Sequence, residues 1–154
     1  MTAIQSFRGE HFFLSNFFPS RICIDGKWYG TNEHWYQASK AESEADHERV
    51  RLAPTAAVAK KIGRSIKIRS DWDQIKDGVM RRGLSAKFAV PELRERLLAT
   101  GDAELIELNT WHDEIWGIDI KTGKGENRLG KMLMQIREEI KRSRVTNEVT
   151  ETVG

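Results

Sequence analysis

The chain has 154 residues, a length that allows one domain with its own hydrophobic core. Its 25 basic and 23 acidic residues leave a formal net charge of +2, so the composition carries no signature of an extended nucleic-acid interface. No apolar stretch approaches the length of a membrane span, and the first residues lack the basic and apolar regions of a secretory signal, so we expect a cytoplasmic protein.

The first predicted element is a β-hairpin. The only cysteine, Cys23, stands between Ile22 and Ile24 and is expected to be a small buried residue. Asp25-Gly26, a pair typical of tight hairpin turns, separates this stretch from Trp28-Tyr29. The pattern predicts a small antiparallel β element near the N-terminus.

A helix is predicted next, over about residues 33–52, with a Thr-Asn pair at 31–32 as its cap. Glu33, Gln37 and Lys40 are spaced so that they line a single face of this helix. Unpaired backbone N–H groups in the first turn stabilise an ionised carboxylate there. The pattern favours a reactive carboxylate at residue 33, and an ordinary first-turn acid is the alternative.

The rest of the chain is predicted to be mainly helical. Three helices follow from capping and stop signals, over about residues 55–62 with Gly63 as the stop, 71–89 with Ser70 and Asp73 as a capping-box-like start, and 91–99 with Pro91 in the first turn. A short strand is predicted at 104–109, with Leu105, Glu107 and Asn109 on one face. A last helix, over about 126–142, has an apolar stripe of Leu129, Leu133, Ile136 and Ile140. We therefore predict one predominantly helical α+β domain over residues 1–142, with a polar, flexible tail at 143–154.

Residues 125–131 have the spacing of a phosphate-binding P-loop. The motif requires Ser or Thr next, to hold magnesium, and Met132 stands there, so a nucleoside triphosphatase is disfavoured. Lys124, Asn127 and Lys131 still lie around a predicted helix N-terminus, which is a favourable place for one phosphate or ribose hydroxyl. The alternative is that Gly130 only allows close helix packing.

The sequence predicts no metal site, because its four histidines lack ligand spacing and one cysteine cannot build a thiolate site. It offers instead carboxylates, tryptophans, amides and lysines. Such a set suits cleavage of a bond between a sugar and a nitrogen, in which a carboxylate stabilises an oxocarbenium-like ribosyl cation or activates water. A second acid can help the base depart, a tryptophan can stack on it, and no cofactor is required. The same groups would also bind a nucleotide without hydrolysing it.

Several blocks of the sequence resemble the YbiA-like, or NADAR, family. In chain order, they cover nearly the whole chain from about residue 7 to residue 140. The blocks include residues 13–17 (FLSNF), 33–40 (EHWYQASK), 59–64 (AKKIGR), 69–72 (RSDW), 97–101 (LLATG), 116–117 (WG) and 125–134 (GENRLGKMLM).

The resemblance implies an N-glycosidase that hydrolyses the ribosylamino bond of early riboflavin-pathway intermediates and releases ribose 5-phosphate. Other branches imply removal of ADP-ribose from modified guanine, or processing of related NAD-derived compounds. A non-enzymatic reader of nucleotides or ADP-ribose is the competing class. We therefore expect a small phosphorylated ribosyl substrate, with nucleic acid bound only through an ADP-ribosylated base.

The resemblance also implies the site. Glu33 is expected to activate water or stabilise the ribosyl cation, Asp113 to be its acid or base partner, and Trp72 to stack on the base. The ligand-binding candidates from the same blocks are Asn16, His34, Gln37, Lys40, Lys87, Trp116, Gly117, Asn127, Gly130 and Lys131. Residues 118–122 are less glycine-rich than the corresponding loop of the family, which leaves the choice of substrate open.

Overall fold

The computed structural model describes the backbone of residues 2–153 and the side chains of residues 2–146. The chain divides into two compact units: the central unit, Ser15–Val90, and the terminal unit, Met1–Leu14 with Pro91–Gly154. The elements are β1 (Ile4–Gln5), a 3₁₀-helix (Gly9–Leu14), β2 (Ile22–Ile24), β3 (Lys27–Tyr29), α1 (Asn32–Ser39), α2 (Glu44–Arg51), α3 (Ala56–Gly63), α4 (Trp72–Phe88), α5 (Pro91–Ala99), β4 (Leu105–Ile106), β5 (Leu108–Asn109), β6 (Ile118–Asp119) and α6 (Arg128–Val153). Among the described residues, no helix is both long and apolar enough to cross a membrane.

The predicted hairpin is confirmed by the antiparallel pairing of β2 with β3. Asp25 and Gly26 have φ values of 53° and 80°, the left-handed backbone that a two-residue hairpin turn requires. Strand alternation directs Ile22 and Ile24 into the core and Cys23 outward. The expectation that Cys23 is buried is therefore wrong, because it occupies the outward position of a three-residue strand.

The single helix predicted over residues 33–52 is two helices, α1 and α2, so that prediction is wrong. Ser43 accepts a hydrogen bond from the Asp46 N–H (3.1 Å) and caps a new helix. Just before it, Ala41 forms a β-bridge with Ile68. The chain leaves the helical path between Ser39, where α1 ends, and the Ser43 cap of α2.

α3 packs closely against α1 at Gly63. A Cβ atom on Gly63 would lie 2.1 Å from Oε1 of Gln37, so only glycine allows this approach. Gly63 belongs to α3, and the following Arg64 keeps a right-handed backbone. The helix ends at Gly63 as predicted, but the reason for glycine at this position is close packing rather than a left-handed helix end.

α4 confirms the helix predicted over 71–89. Its predicted capping box is wrong, because Asp71 is the N-cap residue and makes no side-chain cap. The Asp71 carboxylate instead accepts a hydrogen bond from Arg69 Nε (2.6 Å). The core of the central unit lies between the hairpin and the helices, with Ile22, Ile24, Tyr29, Trp35, Ala38, Val50, Ala59 and Ile66.

The terminal unit contains two short parallel pairs, β1 with β4 and β5 with β6. The strand predicted at 104–109 is thus divided between two partners, and Glu107 at the division donates its N–H to Oδ1 of Asn127 (3.0 Å). α5 and the α+β class are as predicted, with small strands beside a helical majority. α6 begins at Arg128 and continues past the predicted end at 142, while the tail predicted at 143–154 falls largely on side chains outside the described residues.

Candidate active site

Glu33 lies in the first turn of α1, in a fully buried helix. Thr31 caps this helix by accepting a hydrogen bond from the His34 N–H (3.1 Å). Only 6% of Glu33 is exposed. A carboxylate that is this well buried requires specific partners, because burial of an isolated charge is costly.

Gln37 is the closest partner of Glu33. Its Nε2 donates to Oε1 of Glu33 (2.8 Å), one helical turn away on the predicted face. The side chain of Gln37 is fixed from behind by the packing of Gly63. α3 thus sets the position of the amide that orients the Glu33 carboxylate.

Asn16 and Lys87 support the same turn from below. The backbone N–H of Glu33 donates to the Asn16 carbonyl (3.0 Å), and the Asn16 side chain accepts from Asn32 Nδ2 (2.8 Å). Lys87 is fully buried on α4 and donates from Nζ to the Ser15 carbonyl (2.8 Å). These contacts hold the 15–16 segment against the start of α1.

Lys40 lies at the C-terminal end of α1, and Trp72 begins α4. Burial lowers the pKa of Lys40, and the negative charge of Glu33 acts in the opposite direction. Lys40 Nζ lies 5.5 Å from the centroid of the Tyr36 ring. The Trp72 ring packs against the Tyr36 ring, with centroids 5.1 Å apart and planes tilted by 58°. Glu33, Gln37, Lys40 and Trp72 are therefore all anchored on α1 or on a ring that belongs to it.

His34 is turned away from this group. Its Nδ1 lies 2.8 Å from Oγ1 of Thr31, and its Nε2 lies 2.9 Å from the carbonyl oxygen of Ala53. Both ring nitrogens are used within the protein. His34 therefore links the cap of α1 to the segment before α3, and its side chain does not lie on the Glu33 face.

Asp113 organises a loop of the terminal unit. Its Oδ1 accepts hydrogen bonds from the backbone N–H groups of Ile115 (2.8 Å) and Trp116 (2.9 Å). Among the described residues, no hydrogen bond reaches its second oxygen, Oδ2. Trp116 is buried, with 8% exposed. The carboxylate of Asp113 therefore fixes the loop with one oxygen and has the other for a further interaction.

The start of α6 is built around Asn127. The Asn127 side chain donates to the Leu105 carbonyl (2.9 Å) and accepts from the Glu107 N–H. Gly117 and Gly130 are places of close approach, since a Cβ would lie 2.2 Å from the Glu107 carbonyl or 2.0 Å from the Leu105 carbonyl. Both glycines allow close packing, which is the alternative given above for Gly130. Lys131 is exposed.

The expected phosphate site at this helix N-terminus does not form. The four consecutive N–H groups of residues 126–129 donate to the carbonyl groups of residues 114–117. These are the donors that an anion would need at a helix N-terminus. The 113–117 loop occupies them, so the prediction of a phosphate on the N-terminus of α6 is wrong.

Two buried polar residues of the terminal unit are missing from the predicted site. Asn109 binds both ends of the 113–118 loop, with its Nδ2 2.8 Å from the Asp113 carbonyl and 3.2 Å from the Ile118 carbonyl. Hydrogen bonds lower the pKa of Asp119; the one from the Lys121 N–H has the larger effect, and the one from His112 the smaller. The predicted strand places Asn109 on one face with Leu105 and Glu107, which is a usable signal. No local pattern marks Asp119.

A cavity of about 750 Å³ lies on the opposite side of α1, next to Trp35 and Ser39. The described residues that line it include none of the predicted site residues. Two ion pairs lie among its lining residues, Arg82 with Asp25 and Lys27 with Glu44. Among the described residues, no three His, Cys, Asp or Glu side chains are grouped as a metal site would require.

The NADAR domain matches residues 5–141. The chain belongs to the NADAR family. It is 44% identical over 130 residues to N-glycosidase YbiA of Escherichia coli (strain K12), a match that covers 82% of this chain and 80% of the relative. It is 40% identical over 134 residues to an N-glycosidase of Nostoc punctiforme, covering 83% of this chain and 85% of that protein.

A riboflavin biosynthesis protein of Vibrio vulnificus is also 40% identical over 134 residues, which are 85% of this chain and 36% of that longer protein. The NMR structure of Escherichia coli YbiA superimposes with a TM-score of 0.84 at 39% identity, covering 94% of this chain and 88% of that chain. The family and the α+β fold expected from the sequence blocks are both confirmed.

Proposed function

We propose that this NADAR protein hydrolyses the C–N glycosidic bond of ribosylaminopyrimidine 5-phosphate intermediates of riboflavin biosynthesis and releases ribose 5-phosphate. The predicted enzyme class, a hydrolase of N-glycosyl bonds, is confirmed by the N-glycosidases among its relatives. The Vibrio relative connects the activity to riboflavin biosynthesis. The particular substrate and the roles of the residues are our proposal.

The reaction breaks the bond from the ribose C1 to the amine nitrogen and forms a bond from C1 to a water oxygen. One water proton ends on the departing nitrogen. C1 becomes positively charged in between, so a fixed carboxylate beside it lowers the barrier. Glu33 is our choice for that carboxylate, because it is 6% exposed and its Oε1 is held by Gln37 at 2.8 Å. This buried, oriented carboxylate is the observation that supports the proposal most directly.

The other roles follow from the chemistry of each side chain. Trp72 supplies a flat surface for the pyrimidine, since aromatic rings stack favourably at offset geometry. Asp113 is the proposed acid–base partner through Oδ2. Asn16 and Lys87 fix the backbone beside Glu33 and are positioning residues.

The decisive test compares ribose 5-phosphate release by the wild type and by Glu33→Gln. The substituted amide keeps the size of the side chain and an oxygen that can accept from Gln37, so the fold is expected to persist. We expect turnover to fall by about 10²–10⁴-fold, the usual contribution of a positioned acid–base group. Glu42→Gln, an exposed acid of the same unit that pairs with Lys67, is the matched control and should remain active.

Near-normal turnover by a folded Glu33→Gln protein would remove Glu33 from the mechanism. The same assay also includes ADP-ribosylated guanosine. Release of ADP-ribose from that compound, with no ribose 5-phosphate from the aminopyrimidine, would overturn the proposed substrate and keep the N-glycosidase class. Tight binding of both compounds without a product would favour a binding protein.

A further inference from the structure

We infer that Lys40, Lys60 and Arg64 form a subsite for the 5-phosphate of the substrate, an inference that rests on the proposed function. The three cations come from two helices, α1 and α3. They lie on the side of α1 that carries Glu33.

The position of the α3 cations follows from helical spacing. Lys60, Gly63 and Arg64 are related as i, i+3 and i+4, so they share one face of α3. This face packs on α1, because Gly63 lies directly against Gln37. Lys61 belongs to a different face; Lys61 and Arg64 are both exposed, and Lys60 is half-buried. The packing of Gly63 therefore brings Lys60 and Arg64, and not Lys61, toward the Glu33 face.

The positive charges of Lys60 and Arg64 both act on the Lys40 ammonium. Burial is the main cause that lowers the pKa of Lys40, and the positive charges of Arg64, Lys60 and, last, Lys76 of α4 lower it further. Glu33 is the one carboxylate among the groups that act most strongly on it. Among the described residues, neither the Lys40 ammonium nor the Arg64 guanidinium has an ion-pair partner or a hydrogen-bond acceptor.

Such an arrangement is unfavourable without an anion. Like charges at close range repel one another, and partial burial reduces the screening by water. A cation near the C-terminal end of a helix compensates the helix dipole, which accounts for Lys40 and Arg64 separately. Compensation of the dipoles does not explain why the C-terminal parts of α1 and α3, each with its cation, pack against each other. A phosphate would remove the repulsion and accept several charge-assisted hydrogen bonds.

The subsite also lies at a suitable place relative to the reacting bond. Lys40 is seven positions after Glu33, which is a rise of about 10 Å along a helix. The long Lys40 side chain tilts toward the helix N-terminus, which is the direction of Glu33, and the charge of Glu33 acts on it. A ribose with C1 at Glu33 can therefore extend its 5-phosphate along the same face. The N-terminus of α6 offers no alternative phosphate site, because its N–H groups are occupied.

The first test uses two substrates, the ribosylaminopyrimidine with and without its 5-phosphate. Lys60→Met and Arg64→Met should each raise the KM for the phosphorylated substrate by about 10- to 100-fold, the effect of one lost hydrogen bond between charged groups. The KM for the dephosphorylated substrate should not change. Lys61→Met, one residue away on the exposed face of the same helix, is the matched control and should behave as the wild type.

Equal changes for both substrates, or no change for either, would overturn the subsite while leaving the proposed function intact. A purely structural role of Lys60 or Arg64 would lower the melting temperature without a change in KM. Calorimetric titration with ribose 5-phosphate and with ribose does not depend on turnover. The subsite is supported, even if the assay yields no product, when the wild type binds ribose 5-phosphate and not ribose. Arg64→Met should weaken this binding and Lys61→Met should not. Binding that does not depend on the phosphate contradicts the subsite.

Discussion

The two oxygens of Asp113 have separable functions. Oδ1 accepts from the Ile115 and Trp116 N–H groups, whereas Oδ2 has no hydrogen bond among the described residues. An asparagine retains an acceptor for the loop and loses proton transfer. An alanine loses both. The pair of substitutions therefore distinguishes loop positioning from acid–base chemistry.

If Asp113 transfers a proton, Asp113→Asn should lose about 10²–10⁴-fold in kcat and keep the melting temperature of the wild type. Asp113→Ala should lose comparable activity and also be destabilised by roughly 1–3 kcal/mol, since two N–H groups lose their acceptor. The measurements are kcat and the free energy of unfolding in urea. An active Asp113→Asn beside an inactive Asp113→Ala would restrict Asp113 to holding the loop.

At the scale of elements, the close approach of α3 to α1 depends on the absence of a side chain at Gly63. Gly63→Ala places a Cβ 2.1 Å from Oε1 of Gln37, which must then move and release Glu33. We expect a stability loss of about 1–3 kcal/mol, as for other overpacked cores, and a kcat that falls together with it.

Gly78→Ala is the matched control for this change. Gly78 lies within α4, and a Cβ there would meet no atom within 4 Å. Alanine should raise the free energy of unfolding by roughly 0.5–1 kcal/mol, because it is the better helix former. Denaturation and turnover assays measure both variants. An active Gly63→Ala protein with unchanged stability would show that α3 does not set the position of Gln37.

The elements that the sequence predicts well are those with local causes. The Asp-Gly turn defines the hairpin, and helical spacing is enough to join Glu33 with Gln37. The sequence does not reveal the end of α1, because the Ser43 cap lies in a strongly charged stretch that also suits a solvated helix. The pairing of β1 with β4 joins residues about a hundred positions apart, and neither two-residue strand carries a pattern.

The candidate site shows the same division. Sequence spacing is sufficient for a face of α1, but the contribution of α3 depends on how closely two helices pack. The phosphate expected at α6 was wrong for a similar reason. A helix N-terminus is recognisable in sequence, while the carbonyl groups that occupy its donors come from the fold of a preceding loop.

For the molecule as a whole, acid should reduce stability in two stages. Hydrogen bonds from Arg51 and Lys27 lower the pKa of Glu48 from 4.5 to about 2. A carboxyl group whose pKa is lower in the folded than in the unfolded state contributes stability above its unfolded pKa and loses it as the pH falls through the folded pKa. The contribution of Glu48 is therefore lost from about pH 4.5 down to about pH 2. Hydrogen bonds to their own partners lower the pKa values of Asp25 and Asp102 in the same direction.

His47 gives the earlier stage. Burial lowers the pKa of His47 below 6.5, and its Nε2 lies 2.7 Å from the Tyr29 hydroxyl. The unfolded chain then binds a proton that the folded protein does not bind, so the free energy of unfolding decreases as the pH falls below about 6.5. Above that value His47 is neutral in both states and has no effect.

We expect urea unfolding between pH 8 and pH 3 to show a first decline below about pH 6.5 and a steeper one below about pH 4.5. His47→Gln should remove the first decline and retain the second, because the glutamine does not titrate. Glu48→Gln should reduce only the second. An unchanged slope between pH 6.5 and pH 5 in His47→Gln would assign the first stage to another group. A slope that disappears in His47→Gln would show that the half-buried, neutral imidazole beside Tyr29 determines the tolerance of the folded protein to mild acid.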